Sequence, residues 1–281
     1  MTLTLLVPSS VVRETEDKRT ATLKIGYIAR AAGVFQADSL VVFNDKAGET
    51  GFAGEFVETV LSYAATPPTL RKSLWGRRDE LEYAGVLPPL RIPSMTGSES
   101  DDSESLTQGI VTEVGSEGRV RVNCELQHPI SLVQPSTMTL TEGERVAIRI
   151  SSREPVRARL IDEPLPGFQV SRMDLSDALN RDEAGVRIAT SRHGTAITPS
   201  LMSTLSARIA NQGATVVFGS PGRGLPAILG VDVASDSETT VEPSDGVGFD
   251  LWLNTIPQQG SEVVRTEEAM FASLSTLTLT E

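Results

Sequence analysis

Apolar runs and amphipathic segments alternate along the first third of the chain. The runs at positions 3–7 and 40–43 have the length and composition of buried strands. Residues 14–33 and 54–65 carry apolar side chains at helical spacing, and Pro67 with Pro68 closes the second segment. This alternation predicts an α/β fold in which helices cover the strands.

The pattern changes after residue 93. Residues 94–105 are polar and acidic without apolar periodicity, which predicts an exposed linker. Beyond this linker, short strands separated by turn residues are predicted at positions 109–114, 118–124, 130–133 and 145–150. Strands at this spacing favour a small barrel of the OB type.

The α/β alternation resumes near residue 167. It predicts helices at positions 175–179, 199–211 and 267–277, and strands at positions 187–189, 214–218 and 249–254. We therefore expect one α/β domain, formed by residues 1–93 and 166–281, that is interrupted by a barrel at residues 94–165.

Composition narrows the class of protein further. The chain has 281 residues, 39% of them hydrophobic, and a formal net charge of -12. No apolar run approaches the length of a membrane span and no signal peptide is recognised, so we expect a cytoplasmic protein without a membrane partner. The chain has a single cysteine, Cys124, and two histidines, His128 and His193, too few ligands to favour a structural zinc site, so we expect no metal.

The positive charges are almost all arginines. The chain has 21 arginines and four lysines against 37 acidic residues. An acid-rich, lysine-poor composition is typical of proteins that work in concentrated salt, where the Debye length shrinks to roughly 3 Å at 1 M. Acidity therefore does not exclude a polyanionic partner, because arginine retains short-range bidentate contacts with phosphate.

Three polar loops that each follow a predicted strand carry the candidate chemistry. They are residues 190–194, the glycine-rich stretch 219–226 and the stretch 254–269. Glycines allow a backbone to approach a flat ligand closely, and amide and hydroxyl side chains at a strand end can hydrogen-bond it. The glycine-rich loop has no Walker lysine, and Pro226 interrupts a dinucleotide fingerprint. Three loops of one type predict one shared pocket.

Two motifs give the chain a family resemblance. Residues 254–260 are Asn-Thr-Ile-Pro-Gln-Gln-Gly, and residues 265–269 are Arg-Thr-Glu-Glu-Ala. With the segments 24–32 and 83–91, they resemble the archaeal and eukaryotic uridine-N3 branch of the SPOUT superfamily of RNA methyltransferases. The resemblance implies a trefoil-knotted α/β methyltransferase domain, S-adenosylmethionine as cofactor, RNA (ribosomal RNA above all) as partner, and a homodimer. With the acidic composition, it indicates a halophilic archaeon.

The resemblance also implies which residues form the cofactor pocket. We expect backbone and side-chain contacts with S-adenosylmethionine from Thr190, Ser191, His193, Gly194, Gly219, Ser220, Gly224, Asn254, Thr255, Ile256, Gln259, Gly260 and Val264. The branch tends to carry an arginine where this chain has His193, so His193 is kept only as a pocket-lining candidate. If the glycine-rich loop at residues 219–224 stood alone, a tight turn that only needs glycine would be the favoured interpretation.

Methyl transfer to uridine N3 requires that a proton leave and that the developing charge be stabilised. Arg265, Glu267 and Arg30 are the catalytic candidates. For Glu267, capping of the helix that begins near Thr266 is an alternative of equal weight. For Arg265, the alternative is a structural salt bridge.

The predicted barrel contains repeated arginines that could track an RNA backbone: Arg119, Arg121, Arg145, Arg149, Arg153, Arg157 and Arg159. The alternative is a solvated face paired with nearby glutamates. Two other functions stay open at this point: a noncatalytic RNA-binding or ribosome-assembly factor that retains the knot, and a protein that binds another adenine nucleotide.

Overall fold

The computed structural model describes residues 2–52, 54–90, 92, 105–115, 118–124, 126–231 and 248–279. The predicted linker lies outside the described residues except for its last position. Two compact units are present: residues 1–62, 80–89 and 169–281 form the first, and residues 63–79 and 90–168 form the second. The domain boundaries after residues 93 and 165 stay predictions, since residues 63–79 group with the second unit by proximity.

The first unit contains the helices and strands that position the candidate site. In chain order its elements are β1 (Leu3–Pro8), α1 (Lys18–Val34), β2 (Ser39–Phe43) and α2 (Glu55–Ala65), whose last turn extends into the second unit. The second unit follows with α3 (Pro68–Leu74), β3 (Ser105–Val114), β4 (Arg119–Asn123), β5 (Ile130–Val133), β6 (Arg145–Arg153) and β7 (Val156–Ile161). The chain then returns to the first unit with β8 (Gln169–Arg172), α4 (Leu175–Leu179), β9 (Val186–Ala196), α5 (Pro199–Gln212), β10 (Ala214–Val217), α6 (Leu225–Leu229), β11 (Leu251–Asn254) and α7 (Thr266–Leu277).

The first unit is built on a six-stranded parallel sheet in the order β11-β9-β10-β1-β2-β8. Strand β1 lies centrally and is buried along its whole length, as expected when both faces of a parallel sheet are covered. Leu5 is in register with Leu40 on one side and with Val216 on the other. Because all the strands are parallel, their carboxyl ends meet at one edge of the sheet, where ligands bind in open α/β folds.

The helices of the first unit begin where their sequences supply caps. The Asp17 carboxylate accepts the backbone N–H of Thr20 at 2.8 Å and starts α1. Thr198 caps α5 in the same way, and Gly213 ends that helix at a φ of 76°. At α7, the Glu268 carboxylate accepts the backbone N–H of Arg265 at 2.9 Å. Capping at this helix is thus performed by Glu268.

A buried cluster supports the carboxyl edge of the sheet from below. Phe43, Trp252 and Phe249 are at most 4% exposed and pack with Leu6, Val217 and Leu225, among other apolar side chains. The rings of Phe249 and Trp252 meet edge to face with centroids 5.4 Å apart. Since these side chains come from β1, β2, β10, the start of β11 and α6, they hold together the elements that flank the loops after β10 and β11.

The second unit is a five-stranded antiparallel sheet in the order β5-β4-β3-β6-β7. Its inward-facing side chains, such as Val122, Ile148 and Leu160, alternate with outward polar ones and form a separate core. Strands β5 and β7, at the two edges, approach each other, so the sheet is nearly closed into a barrel. Among the described helices of both units, none combines the length and the apolar character that crossing a membrane requires.

Candidate functional site

A cavity of about 670 Å³ lies at the carboxyl ends of β9, β10 and β11. Its volume is in the range that holds a drug-sized ligand. The three polar segments selected in the sequence all contribute to its wall. The lining residues are Thr190, Ser191, Arg192, His193, Phe218, Gly219, Ser220, Gly222, Arg223, Gly224, Pro226, Ala227, Gly230, Val231, Asn254, Thr255, Ile256, Gln259, Glu262, Val263, Val264, Thr266 and Ala269.

The first wall is a large bulge in β9. Strand β11 pairs Trp252 with Ala189 and then Leu253 with Thr195, so residues 190–194 are extruded from the ladder. Gly194 marks the return of this bulge: an added Cβ would lie 2.6 Å from the backbone nitrogen of Leu253. Gly194 itself lies outside the cavity lining. Its function is to let two backbones come together so that the preceding residues point toward the cavity.

The second wall is the glycine-rich loop after β10. Ser220 and Arg223 exchange two backbone hydrogen bonds of 3.0 Å around Pro221 and Gly222, whose φ is 66°. Proline followed by a glycine with positive φ is the pattern of a type II turn. Gly219 allows the loop to fold back, because a Cβ there would lie 2.9 Å from the nitrogen of Leu225. The loop is therefore shaped before any ligand arrives.

Side chains of the third segment hold it against the other two. Asn254 donates its amide to the Arg192 carbonyl at 3.0 Å and accepts the backbone N–H of Ile256 at 3.0 Å. Thr266, at the start of α7, donates to the Gly219 carbonyl at 2.9 Å. Asn254 thus joins the loop after β11 to the β9 bulge, and Thr266 joins α7 to the glycine-rich loop.

Two other predicted cofactor residues also have internal partners. The Thr255 hydroxyl lies 2.7 Å from that of Ser273, and the Gln259 amide donates to the Ser261 carbonyl at 2.8 Å. Gly260 lies outside the cavity lining, and a Cβ there would meet no atom within 4 Å. Space alone therefore does not require glycine at position 260.

Arg192 and His193 place charge and a titratable ring on the cavity wall. The Arg192 Nε donates to Nε2 of His193 at 3.1 Å. Burial, and after it the charge of Arg192, lower the pKa of His193 below its ordinary value. The imidazole is accordingly neutral at pH 7, which agrees with its Nε2 accepting a hydrogen bond.

Arg223 is anchored by a buried carboxylate from the other half of the chain. Its Nε lies 3.1 Å from Oδ2 of Asp45, whose side chain is only 2% exposed. Ser10, after β1, donates to the same Asp45 oxygen at 2.6 Å, and Ser9 accepts the Asp45 backbone N–H at 2.9 Å. The Ser10 hydroxyl also lies 3.2 Å from that of Ser220. We call Ser9, Ser10, Asp45, Ser220 and Arg223 the anchor network; it fixes the glycine-rich loop to the ends of β1 and β2.

The three predicted catalytic residues lie outside the cavity lining of their own chain. Arg265 is exposed at the N-terminus of α7, and Arg30 donates to the Pro89 carbonyl at 2.5 Å. Glu267 points toward α1, where its Oε2 lies 3.7 Å from Nζ of Lys24, a buried lysine that also pairs with Glu14. Burial raises the pKa of Glu267 despite the opposing attraction of Lys24.

The structure brings together 11 of the 13 predicted cofactor residues; Gly194 and Gly260 are the two outside the lining. Sequence reasoning did not select Arg192, Arg223 and Glu262, the charged residues of the wall, or Asp45 behind it. Each had a local signal. Arg192 and Arg223 lie inside the selected loops, and Asp45 follows a buried strand, which is where site residues concentrate in parallel sheets.

Comparison with known proteins gives a consistent result. Residues 2–277 match a family model described as "Putative RNA methyltransferase". An uncharacterised protein of Halobacterium salinarum is 62% identical over 283 residues, and one of Haloarcula marismortui is 60% identical over 284, in each case across 100% of both chains. The human 28S rRNA (uridine-N(3))-methyltransferase is 26% identical over 312 residues, covering 98% of this chain and 77% of the human protein. These similarities extend through both compact units.

Proposed function

Since the chain belongs to this SPOUT-type RNA methyltransferase family, we propose that it transfers a methyl group from S-adenosylmethionine to a base of structured RNA. The observation that carries the proposal is the cavity at the carboxyl ends of β9, β10 and β11. We propose N3 of a uridine in large-subunit ribosomal RNA as the acceptor, because the human, mouse and fruit-fly relatives carry that activity in their names.

The cavity fits an adenosine joined to an amino acid. Phe218, Ile256 and Val264 supply apolar surface for a purine, while Gly219 and Gly224 contribute backbone to the same cavity wall. Polar groups for ribose and for the methionine end come from the β9 bulge, which Gly194 allows to form, and from the loop after β11. S-adenosylmethionine supplies, when bound, a methyl group already activated by its sulfonium.

The protein then has two tasks in the transfer step. It must align the acceptor base with the methyl group, and it must stabilise the negative charge that develops as the uridine N3 proton leaves. Arg192 and Arg223 are the cations already on the cavity wall and suit the second task. None of the three predicted catalytic residues lines the cavity of its own chain. A role for Arg265 or Glu267 requires a second copy of the chain or a rearrangement at the start of α7, and a role for Arg30, which lies on α1, requires a second copy or a movement of α1.

We propose that the protein is a homodimer. Tyr27 and Val34 are two turns apart on one face of α1 and are 42% and 52% exposed, although most of that helix is buried. Large apolar side chains exposed on one face support a contact with a second copy.

We further propose that the α/β unit is trefoil-knotted and that the barrel-like unit is an OB fold, as the family resemblance implies. We also propose that the protein works in the cytoplasm of a halophilic archaeon.

The test has two stages, both at high potassium chloride concentration. Calorimetry with S-adenosylmethionine should give micromolar binding that Gly219→Ala weakens, because the added Cβ displaces the glycine-rich loop. Radiolabelled methyl transfer should then be measured on ribosomal RNA from a strain that lacks the protein. Binding without transfer to any RNA would favour a noncatalytic RNA-binding or ribosome-assembly factor, and absence of binding would refute the cofactor assignment.

A further inference from the structure

The β6–β7 hairpin of the second unit has a charge opposite to that of the chain. Residues 145–161 contain five arginines and one glutamate, a formal charge of +4 in a protein of net charge -12. Residues 105–133, which include β3, β4 and β5, contain two arginines and three glutamates. Among the strands of this sheet, positive charge is thus concentrated on the edge formed by β6 and β7.

Strand register places three of these arginines on the outer face. Arg149 on β6 lies directly opposite Arg159 on β7, and Arg157 is two residues before Arg159 on the same strand. The intervening pairs, such as Ile148 with Leu160, face the core. Like charges directly opposite each other destabilise an antiparallel pair. We call Arg149, Arg157 and Arg159 the hairpin face; its juxtaposed cations favour an anionic partner.

The arginines of β4, on the outer face near the other edge of the sheet, have different partners. Arg119 donates to the hydroxyl and the carbonyl of Ser131 at 3.1 and 3.2 Å. Arg121 lies 3.5 Å from Glu113, its cross-strand partner. On the hairpin face, Arg149 pairs with Glu163 at 3.0 Å, but within the described part of the chain the exposed Arg157 side chain pairs with no carboxylate. The arginines of β4 are therefore engaged within the sheet, whereas Arg157 on the hairpin keeps its positive charge exposed.

We propose that the hairpin face binds the sugar-phosphate backbone of the substrate RNA, whereas the exposed face of β4 does not. The inference rests on the proposed function for the identity of the polyanion as RNA. Phosphate contact is favoured over base stacking, because residues 105–165 contain no phenylalanine, tyrosine or tryptophan. Guanidinium groups bind phosphate oxygens bidentately, a short-range contact that persists when salt screens long-range attraction.

Two matched double variants test the proposal. Arg157→Gln with Arg159→Gln and Arg119→Gln with Arg121→Gln each remove two positive charges two residues apart on one strand. Affinity for a fluorescently labelled RNA stem–loop is measured across a potassium chloride series, with circular dichroism at each salt concentration to verify folding. Each lost phosphate contact should flatten the slope of log affinity against log salt by roughly 0.7–0.9. The β7 variant should therefore lose about 1.4–1.8 from the slope, and the β4 variant should match the native protein.

The outcomes separate this inference from the proposed function. An unchanged slope in the folded β7 variant, or an equal loss in both variants, would overturn the hairpin face even if methyl transfer is present. A flattened slope in the β7 variant alone supports the face, and it does so even if no RNA accepts a methyl group. S-adenosylmethionine binding, measured on the same preparations, should be unchanged in both variants, because all four arginines belong to the second unit and the cavity to the first.

Discussion

Replacing Asp45 with Asn tests whether the anchor network holds the cofactor cavity in shape. The substitution keeps the size of the side chain but removes the charge that faces Arg223, with Nε–Oδ2 at 3.1 Å. Asp45 lines no part of the cavity itself, so any effect on ligand binding must pass through Arg223 and the glycine-rich loop. We expect a lower unfolding temperature and weaker S-adenosylmethionine binding.

The magnitudes follow from burial. Removing one partner of a buried ion pair lowers the free energy of unfolding by about 3–5 kcal/mol. Because the Arg223 side chain is 22% exposed, water partly solvates its unpaired charge, so we expect a loss of about 2–4 kcal/mol. For a chain of this size that lowers Tm by roughly 4–8 °C. Reordering a released Arg223 side chain on binding costs about 0.5–1.5 kcal/mol, equivalent to a roughly two- to twelvefold higher Kd.

Asp250→Asn is the matched control. Asp250 pairs with Arg187 at 2.8 Å in the same unit, but at the amino ends of β9 and β11, the edge of the sheet opposite the cavity. It should lower Tm and leave the cofactor Kd unchanged. Calorimetry and thermal unfolding are run on both variants at equal salt. If Asp45→Asn lowers Tm but leaves the Kd at the native value, the anchor network is structural only and the argument fails.

Two further predictions concern residues whose sequence-based roles the structure leaves open. Glu267→Gln should raise Tm at pH 7 and have no effect on Tm below about pH 4. Burial raises the native pKa of this carboxyl, so its ionisation destabilises the fold as pH rises above the unfolded pKa of about 4.3. A lower Tm of the variant at pH 7 would mean that the attraction between Glu267 and Lys24 outweighs the effect of burial. Gly194→Ala should destabilise by about 1–3 kcal/mol, because its Cβ would lie 2.6 Å from the Leu253 backbone, whereas Gly260→Ala should stay within about 0.5 kcal/mol. Equal Tm values for the two glycine variants in thermal unfolding would contradict this account of the β9 bulge.

Much of the fold could be predicted from the sequence because its signals are local. The apolar runs of β1 and β10 and the caps of α1 and α5 depend on neighbouring residues alone. Pro67 and Pro68 predict only the end of the preceding helix, so α3 has no counterpart among the predicted elements, although proline at the first helical position starts a helix equally well.

The full length of strand β9 could not be predicted from its local sequence. The sequence predicts a strand at positions 187–189, but β9 extends from Val186 to Ala196 through seven mostly polar residues. Those residues are strand only because β11 pairs with Thr195 beyond the bulge. The partner is more than fifty positions away, and no periodicity in either segment encodes the register shift.

The candidate site could likewise be predicted from the sequence only in part. The three loops could be selected because each follows an apolar strand, and parallel strands bring such loops to one edge. The pairing of Asp45 with Arg223 spans 178 positions and depends on the order of the strands, which the sequence does not state. The position of Glu267 beside the motif predicts a place in the site, yet the direction of α7 points its side chain toward Lys24 on α1.

The polar side chains of the cavity are mostly engaged with the protein itself, and this constrains how a ligand is recognised. Thr190 donates to the Val217 carbonyl at 2.8 Å, Asn254 uses both ends of its amide, and the Thr255 hydroxyl lies against Ser273. These bonds fix the backbone of the loops before binding, so that little reorganisation is required when a ligand enters. Discrimination between ligands then depends on backbone groups and on the charged residues of the cavity wall, Arg192, Arg223 and Glu262. We therefore expect Asn254→Asp to weaken cofactor binding. The main cause should be repulsion between the new carboxylate and the Arg192 carbonyl, and the loss of a direct contact with the cofactor should matter less.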